Sequence, residues 1–165
     1  MKLHTAIISA SLLLASLVPP APAHAQEFAP VAESRFDALL SKANDLVFNA
    51  MGFMGIPYRW GGATPETGFD CSGFVQFVFR QAVGMVLPRS SFDQVRHGVS
   101  VAIDDLQPGD LVFFNTMRAQ FSHVGIYIGD NRFIHSPSRG KSVEIVNFND
   151  GYWQKRYNGA RRLPL

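Results

Sequence analysis

The chain holds one cysteine among its 165 residues. A single cysteine cannot pair within the chain, so a disulfide-stapled mini-protein is excluded. Charge is scarce: 17% of the residues are Asp, Glu, Lys or Arg, against about 25% in an average globular protein. Neither sign prevails, with 15 basic and 13 acidic side chains. That balance excludes a strongly cationic nucleic-acid binder and leaves weak electrostatic steering toward any partner. The sequence has no internal repeat, no low-complexity tract, and no CxxC or HExxH spacing of the kind that holds zinc. Its apolar run Ala6 to Val18 falls short of the about 20 residues that a spanning helix needs. What is present is apolar: hydrophobic residues make up 47%, enough to bury a core. The length is that of one domain of about 100–200 residues.

The N-terminus has the pattern of an export signal. Met1 to Thr5 is short and basic, Ala6 to Val18 is uncharged, Pro19-Pro20 breaks the run, and Ala23-His24-Ala25 follows. A basic start, an apolar core and an A-x-A-like end predict a signal peptide over residues 1–25, cut between Ala25 and Gln26. No cysteine lies near that cut, so a lipoprotein anchor is not expected. The product would have 140 residues with 14 basic and 13 acidic side chains, and its histidines would be His97, His123 and His135. An exported protein meets an oxidising compartment, where a lone thiol stands out as a reactive group or as a buried apolar one.

Residues 26–33 read as a flexible lead-in to a domain over 34–165. The 3.6-residue spacing of Phe36, Leu39, Leu40, Ala43, Leu46, Val47 and Ala50 predicts a core-facing helix from Ser34 to Met51, ended by Gly52. Glycine and proline mark a loop from about Gly55 to Asp70. A second helix is predicted over Cys71 to Val83. It is apolar round most of its circumference and hence buried, with Asp70 as N-cap and Gly84 beyond its end. Strand-like runs follow at Leu111–Phe114, Val124–Ile128, Arg132–His135 and Val143–Val146, with a hairpin turn at Gly129-Asp130-Asn131. Helices first and strands after predict an α+β fold with a mainly antiparallel sheet. The basic tail residues Lys155, Arg156, Arg161 and Arg162 read as a solvated face.

The chemistry gathers at Cys71. At a helix start, the positive end of the dipole and the free N–H groups favour thiolate, the nucleophilic form. A neighbouring imidazole would favour it further. His123 begins one strand and His135 ends the next, so the two are near neighbours across the hairpin. For both to point to one face, the loop must be odd in length or the strand must carry a bulge. Cysteine, histidine and a second polar ring match the logic of nucleophile, base and orienting group. No metal or organic cofactor is needed.

Five blocks carry a family likeness. They are Pro57-Tyr58-Arg59-Trp60-Gly61-Gly62; Asp70-Cys71-Ser72-Gly73-Phe74-Val75; Leu87-Pro88-Arg89-Ser90-Ser91 with Gln94; Leu106 through Phe114; and His123 through Gly129 with Phe133-Ile134-His135. In this order they resemble the NlpC-type family of bacterial cell-wall cysteine peptidases, over about Phe36 to Arg162. The resemblance implies a small papain-like α+β fold with the nucleophile at a helix start packed on an antiparallel sheet. It implies Cys71 as nucleophile, His123 as base, His135 as the third polar residue, and Tyr58 near the oxyanion. It implies peptidoglycan stem peptides as substrate, cut between γ-D-glutamate and the following diamino acid. Asp70 is read as an N-cap or a substrate contact, Ser72 as an N–H donor or a helix start, and Arg89 as a partner for a substrate carboxylate or for a surface acid. A Cys-His amidase, an acyltransferase and a non-catalytic wall-binding protein use the same scaffold and stay open. Without wall-binding repeats, a periplasmic monomer without a membrane span is expected.

Overall fold

The computed structural model describes residues 29–117 and 119–165. The expected signal peptide, residues 1–25, lies outside the described residues. The elements run α1 (Ala29–Met51), β1 (Ala63–Thr64), β2 (Gly68–Phe69), α2 (Cys71–Val83), α3 (Ser91–Gln94) and β3 (Val99–Val101). They continue through a 3-10 turn at Ile103–Asp105 to β4 (Leu111–Phe114), β5 (His123–Gly129), β6 (Arg132–His135), β7 (Glu144–Asn147), α4 (Gly151–Gln154) and β8 (Tyr157–Arg162).

Helix α2 forms where its end signals place it. The Asp70 carboxylate accepts the Gly73 N–H at 2.8 Å. Gly84 takes the left-handed conformation at φ 70°, and its N–H turns back to the Arg80 and Phe79 carbonyls. Between these ends Phe74, Val75, Phe77, Val78 and Phe79 are buried. The Phe69 ring meets Phe53, Phe74 and Phe77 at centroid distances of 5.9, 5.6 and 5.3 Å, spacings at which aromatic edges meet faces favourably.

Helix α1 departs from expectation twice. It starts at Ala29 rather than at Ser34. Only its C-terminal half packs: Leu46 and Ala50 are buried, while Phe36, Leu39 and Leu40 are exposed. The reason is length. At about 1.5 Å per residue, a helix of 23 residues overhangs its 13-residue partner α2 by roughly 15 Å. No helix of the described residues is long and apolar enough to cross a membrane.

The main sheet has the order β3-β8-β4-β5-β6-β7 and is antiparallel at every pairing. Strand β4 lies near its middle and is buried on both faces. Leu111 and Phe113 join Val124, Ile126 and Ile134 in the core shared with α1 and α2. Val112 and Phe114 join Tyr127, Phe133, Phe148 and Ala160 on the other face, with Trp153 of α4 against them.

Strand β8 escaped the sequence reading. Its arginines are not a solvated face. Arg161 donates from Nε to the Val95 carbonyl at 2.7 Å. Arg162 holds the buried Asp110 carboxylate through Nε and Nη2 at 2.8 and 2.7 Å, and Asp110 also accepts the Gln107 N–H at 2.8 Å.

The β5–β6 hairpin decides where the histidines point. Asp130 and Asn131 have φ of 50° and 54°, the positive values that a two-residue type I′ turn requires. Beyond the turn Gly129 faces Arg132, but Tyr127 faces Phe133 and Ile126 faces Ile134, so the register slips by one residue. Side chains alternate with a period of two, so this slip moves His123 to the same face as His135. Gly125, between them in register, has no room for a side chain: a Cβ there would lie 2.6 Å from the Phe133 ring.

A close approach also joins the Gly55–Asp70 loop to α2. A Cβ on Gly73 would land on the Gly62 carbonyl oxygen, which already accepts the Asp70 N–H at 3.0 Å. Alanine normally favours a helix over glycine by about 1 kcal/mol. Here overpacking outweighs that gain, and Gly73→Ala should lower stability by about 1–3 kcal/mol. Urea unfolding of the variant beside the unsubstituted protein measures it; an equal or higher midpoint would contradict the close approach.

Candidate active site

Cys71 opens α2 and lines a groove of about 1040 Å³ that is also lined by Tyr58, Asp70, Ser72, Arg89 and His123. His135 is fully buried behind His123. All seven residues singled out from the sequence are thus brought to one region. The segments that carry them are tied together through Phe69 and Lys141. The Ser136 hydroxyl, next to His135, donates to the Phe69 carbonyl at 2.7 Å, two residues before Cys71. The Arg59 N–H donates to the same carbonyl at 2.9 Å, and the Tyr58 N–H to the Lys141 carbonyl at 2.8 Å. Buried Gln94 donates to the Ser72 and Pro88 carbonyls at 3.0 and 2.9 Å, which anchors the start of α2 from the far side.

The two imidazoles touch. His123 Nε2 and His135 Nδ1 are 2.7 Å apart, with the rings at 89°. Nε2 of His123 is therefore engaged with His135, and Nδ1 is the ring nitrogen left outside that contact. Trp153 stacks on His123 at 5.5 Å and 26° and presents its edge to His135 at 4.9 Å and 88°. The sequence reading missed Trp153. It reaches the pair from a four-residue helix eighteen positions beyond His135, and only the folded sheet brings it there.

Beside the thiol stands a charged cluster. Arg89 donates to both Asp70 oxygens, from Nη1 at 2.9 Å and Nη2 at 2.6 Å. It also donates to the Ser72 hydroxyl at 3.0 Å and to the Gly62 carbonyl at 3.3 Å. Asp70 further accepts the N–H groups of Gly73 and Gly61. The N-cap reading of Asp70 matches this geometry. Of the two readings of Arg89, the one seen is an acid partner, though the acid belongs to the groove wall rather than to the open surface.

Burial governs the protonation states. The N–H groups of Val124, Ser72 and Cys71 stabilise a thiolate, as expected of a helix start, but burial outweighs them and the Asp70 carboxylate adds to it, pushing the Cys71 pKa up to about 11. Burial pushes the His123 pKa down to about 4. His135 is held well below the ordinary histidine range, by burial first and then by His123 and Lys141. The helix start favours thiolate, as its free N–H groups require, but desolvation is the larger effect, and the balance at rest lies toward the thiol and the neutral imidazole. The Tyr58 pKa is raised by burial, with the Cys71 and Asp70 charges adding, so its hydroxyl keeps its proton and remains a donor. Among the described residues no group of three or more His, Cys, Asp or Glu is placed to hold a metal ion.

These states make stability depend on pH. His123 titrates at 6.5 when unfolded and at about 4 when folded. Below pH 6.5 the unfolded chain takes up a proton that the folded chain refuses, so stability falls as pH drops from 6.5 toward 4. From His123 alone the loss between pH 7 and pH 5 should be on the order of 2 kcal/mol. Above pH 9 the Cys71 thiol acts in the opposite sense, and stability falls again as pH rises toward 11. Urea midpoints at pH 7 and pH 5 check this; equal midpoints would mean that neither histidine is buried neutral.

Residues 55–162 match the model of the NlpC/P60 family. The murein DD-endopeptidase MepS/murein LD-carboxypeptidase of Escherichia coli (strain K12) is 50% identical over 109 residues, which cover 66% of this chain and 56% of that protein. The gamma-DL-glutamyl hydrolase of Bacillus subtilis (strain 168) is 47% identical over 119 residues, 72% of this chain and 29% of that protein. This chain therefore spans little more than half of the first relative and under a third of the second. The crystal structure of an NlpC/P60 family protein from Bacillus cereus ATCC 10987 superposes with a TM-score of 0.69 at 43% identity, over 74% of this chain and 40% of that one. The matched residues and the superposed fold agree with one another, and the chain belongs to the NlpC/P60 family.

Proposed function

We propose that this protein is a cysteine peptidase that hydrolyses the peptide stems of bacterial cell-wall peptidoglycan. The observation that carries the reading is the arrangement of Cys71 at the start of α2 in one groove with His123, whose far nitrogen is 2.7 Å from His135. That is a nucleophile, a base and an orienting group. The relatives named as a murein endopeptidase and a glutamyl hydrolase support the class of substrate.

The reaction starts from the neutral pair. As Cys71 Sγ attacks the scissile carbonyl, its proton passes to His123 Nδ1, and charge develops only as the carbon–sulfur bond forms. The tetrahedral oxyanion lies near the backbone N–H groups at the start of α2 and the protonated Tyr58 hydroxyl. His123 returns the proton to the leaving amine, and the carbon–nitrogen bond breaks to leave a thioester on Cys71. Water, deprotonated by His123, then attacks the thioester carbonyl. The carboxylic acid leaves and the thiol takes back its proton. Asp70, Ser72 and Arg89 form a preordered polar wall of the groove, and neither a metal nor an organic cofactor takes part.

Within the stem we infer the bond between γ-D-glutamate and the following diamino acid as the site of cleavage. A second reading is the cross-link between D-configured residues, favoured by the 50% identity to a protein named as a murein DD-endopeptidase. The signal-like N-terminus supports export, to the periplasm rather than beyond the cell, and the protein acts there as a monomer.

Digestion of diaminopimelate-type peptidoglycan and of its soluble fragments, under reducing conditions with mass spectrometry of the products, distinguishes these readings. New ends at γ-D-glutamate and diaminopimelate are expected, and Cys71→Ala should abolish them. Loss of a single oxyanion donor, as in Tyr58→Phe, should slow turnover by about 100-fold. Cleavage only of cross-links would select the second reading. Glycan strands freed of whole stems would make the protein an amidase. No cleavage of any substrate would overturn the hydrolase reading.

A further inference from the structure

His135 has a second ring nitrogen that takes no part in the steps of hydrolysis. Its Nδ1 faces His123, while its Nε2 is buried with no hydrogen-bond partner. A buried polar nitrogen without a partner is costly and calls for an explanation. A charged acceptor, Glu144 Oε1, lies 3.9 Å from it. Glu144 is the register partner of His135 across β6 and β7. It also lines the groove, and its Oε1 is shared with Lys141 Nζ at 3.4 Å.

Proton placement gives this acid a role. His123 Nδ1 can take the thiol proton only if it carries none, so the neutral His123 ring must hold its proton on Nε2. That proton is donated to His135 Nδ1, which must then be bare. His135 is therefore protonated on Nε2, the atom that points toward Glu144. With the opposite tautomers, His135 would donate from Nδ1, and His123 would present a useless N–H to the groove. The choice between the two sets falls to whatever stands beside His135 Nε2: an acceptor there selects the working set and a donor selects the idle one. We propose that Glu144 is a positioning residue for the reaction, its carboxylate accepting the Nε2–H of His135 and thereby holding His123 in the tautomer that can act as base.

The inference rests on the Cys-His-His reading of the site but not on the identity of the substrate. The gap of 3.9 Å is about one ångström beyond a hydrogen bond, and Glu144 sits on a half-exposed strand where its side chain can move that far. The charged and titratable groups around His135 are His123 from β5, Glu144 from β7 and Lys141 from the connection between β6 and β7; Trp153 from α4 adds an uncharged edge. Of these, Glu144 alone offers an acceptor on the Nε2 side of His135. Lys141 acts against the pair, because its cation disfavours charge on His135.

The test uses readouts that need no substrate. Long-range nitrogen–proton spectra of histidine-labelled protein report which ring nitrogen carries the proton, and the rate of Cys71 alkylation at neutral pH reports how readily the thiol gives its proton to His123. The unsubstituted protein should show both rings protonated on Nε2. Glu144→Ala should mix the tautomers and slow alkylation roughly tenfold, the effect of displacing a proton equilibrium by about one pH unit. Glu144→Gln, which keeps an acceptor oxygen without the charge, should recover part of the rate. Should the alanine variant fail to fold, Glu144→Leu takes its place on the half-exposed strand. If hydrolysis is followed as well, kcat should fall with KM changed by less than about twofold. Unchanged tautomers and an unchanged alkylation rate in the folded alanine or leucine variant would overturn the proposal. Expected tautomers in a protein that cleaves no cell-wall substrate would sustain it and overturn only the proposed function.

Discussion

The site depends on one contact between rings, His123 Nε2 to His135 Nδ1 at 2.7 Å. That contact exists because strand β5 slips by one residue against β6 next to the turn. Without the slip, two histidines twelve positions apart across a two-residue turn would stand on opposite faces of the sheet. Much of the surrounding structure serves to keep the slip in place. The positive φ angles of Asp130 and Asn131 close the turn, the bare Gly125 lets the Phe133 ring lie across the strand, and Trp153 seals the outer side of both rings. The inner side of β5 is held by α2, through Val124 and Ile126 in the larger core. The same packing that builds the sheet therefore brings His123 into the groove that Cys71 of α2 also lines.

Burial then decides how that pair behaves at rest. A helix start offers a thiolate free N–H groups and a favourable dipole, but their contribution is smaller than the cost of desolvating the charge, and the Asp70 cap adds a carboxylate nearby. Arg89 partly offsets that carboxylate by holding both of its oxygens. Cap, cation and thiol form one electrostatic unit, in which an element needed to start the helix also makes the nucleophile harder to ionise. In the proposed reaction this cost is reduced because the thiol gives its proton to His123 as the carbon–sulfur bond forms, so no free thiolate has to persist in the groove.

How much of this was legible in the sequence varied with the range of the interactions. Helix α2 could be read to the residue because its signals are local: an aspartate cap, a continuous apolar surface and a glycine in the left-handed conformation at the end. The hairpin and the need for a bulge were legible for the same reason, since turn chemistry and the period of two are properties of neighbouring residues. Helix α1 was legible as a helix but not in its burial; the apolar spacing of Phe36, Leu39 and Leu40 continues beyond the point where α2 ends and packing stops. Strand β8 was hidden because Tyr157–Arg162 is polar, and its arginines reach Val95 and Asp110 from far along the chain. Trp153 and Glu144 were hidden as parts of the site because their place beside the histidines is set by the packing of α4 and the pairing of β7, which no local pattern reveals.

Two histidines, brought to one face by a single slipped residue, rest neutral and bonded to one another, and His123 shares its groove with a protonated thiol. A pH titration of the histidine ring signals of the folded protein tests it directly. His123 and His135 should stay uncharged as pH falls through 6 and 5, His123 gaining its proton only near pH 4, and both signals should shift together because the rings are hydrogen-bonded to one another. A His123 or His135 signal that titrates alone near pH 6.5 would show a solvated, independent imidazole and contradict the account.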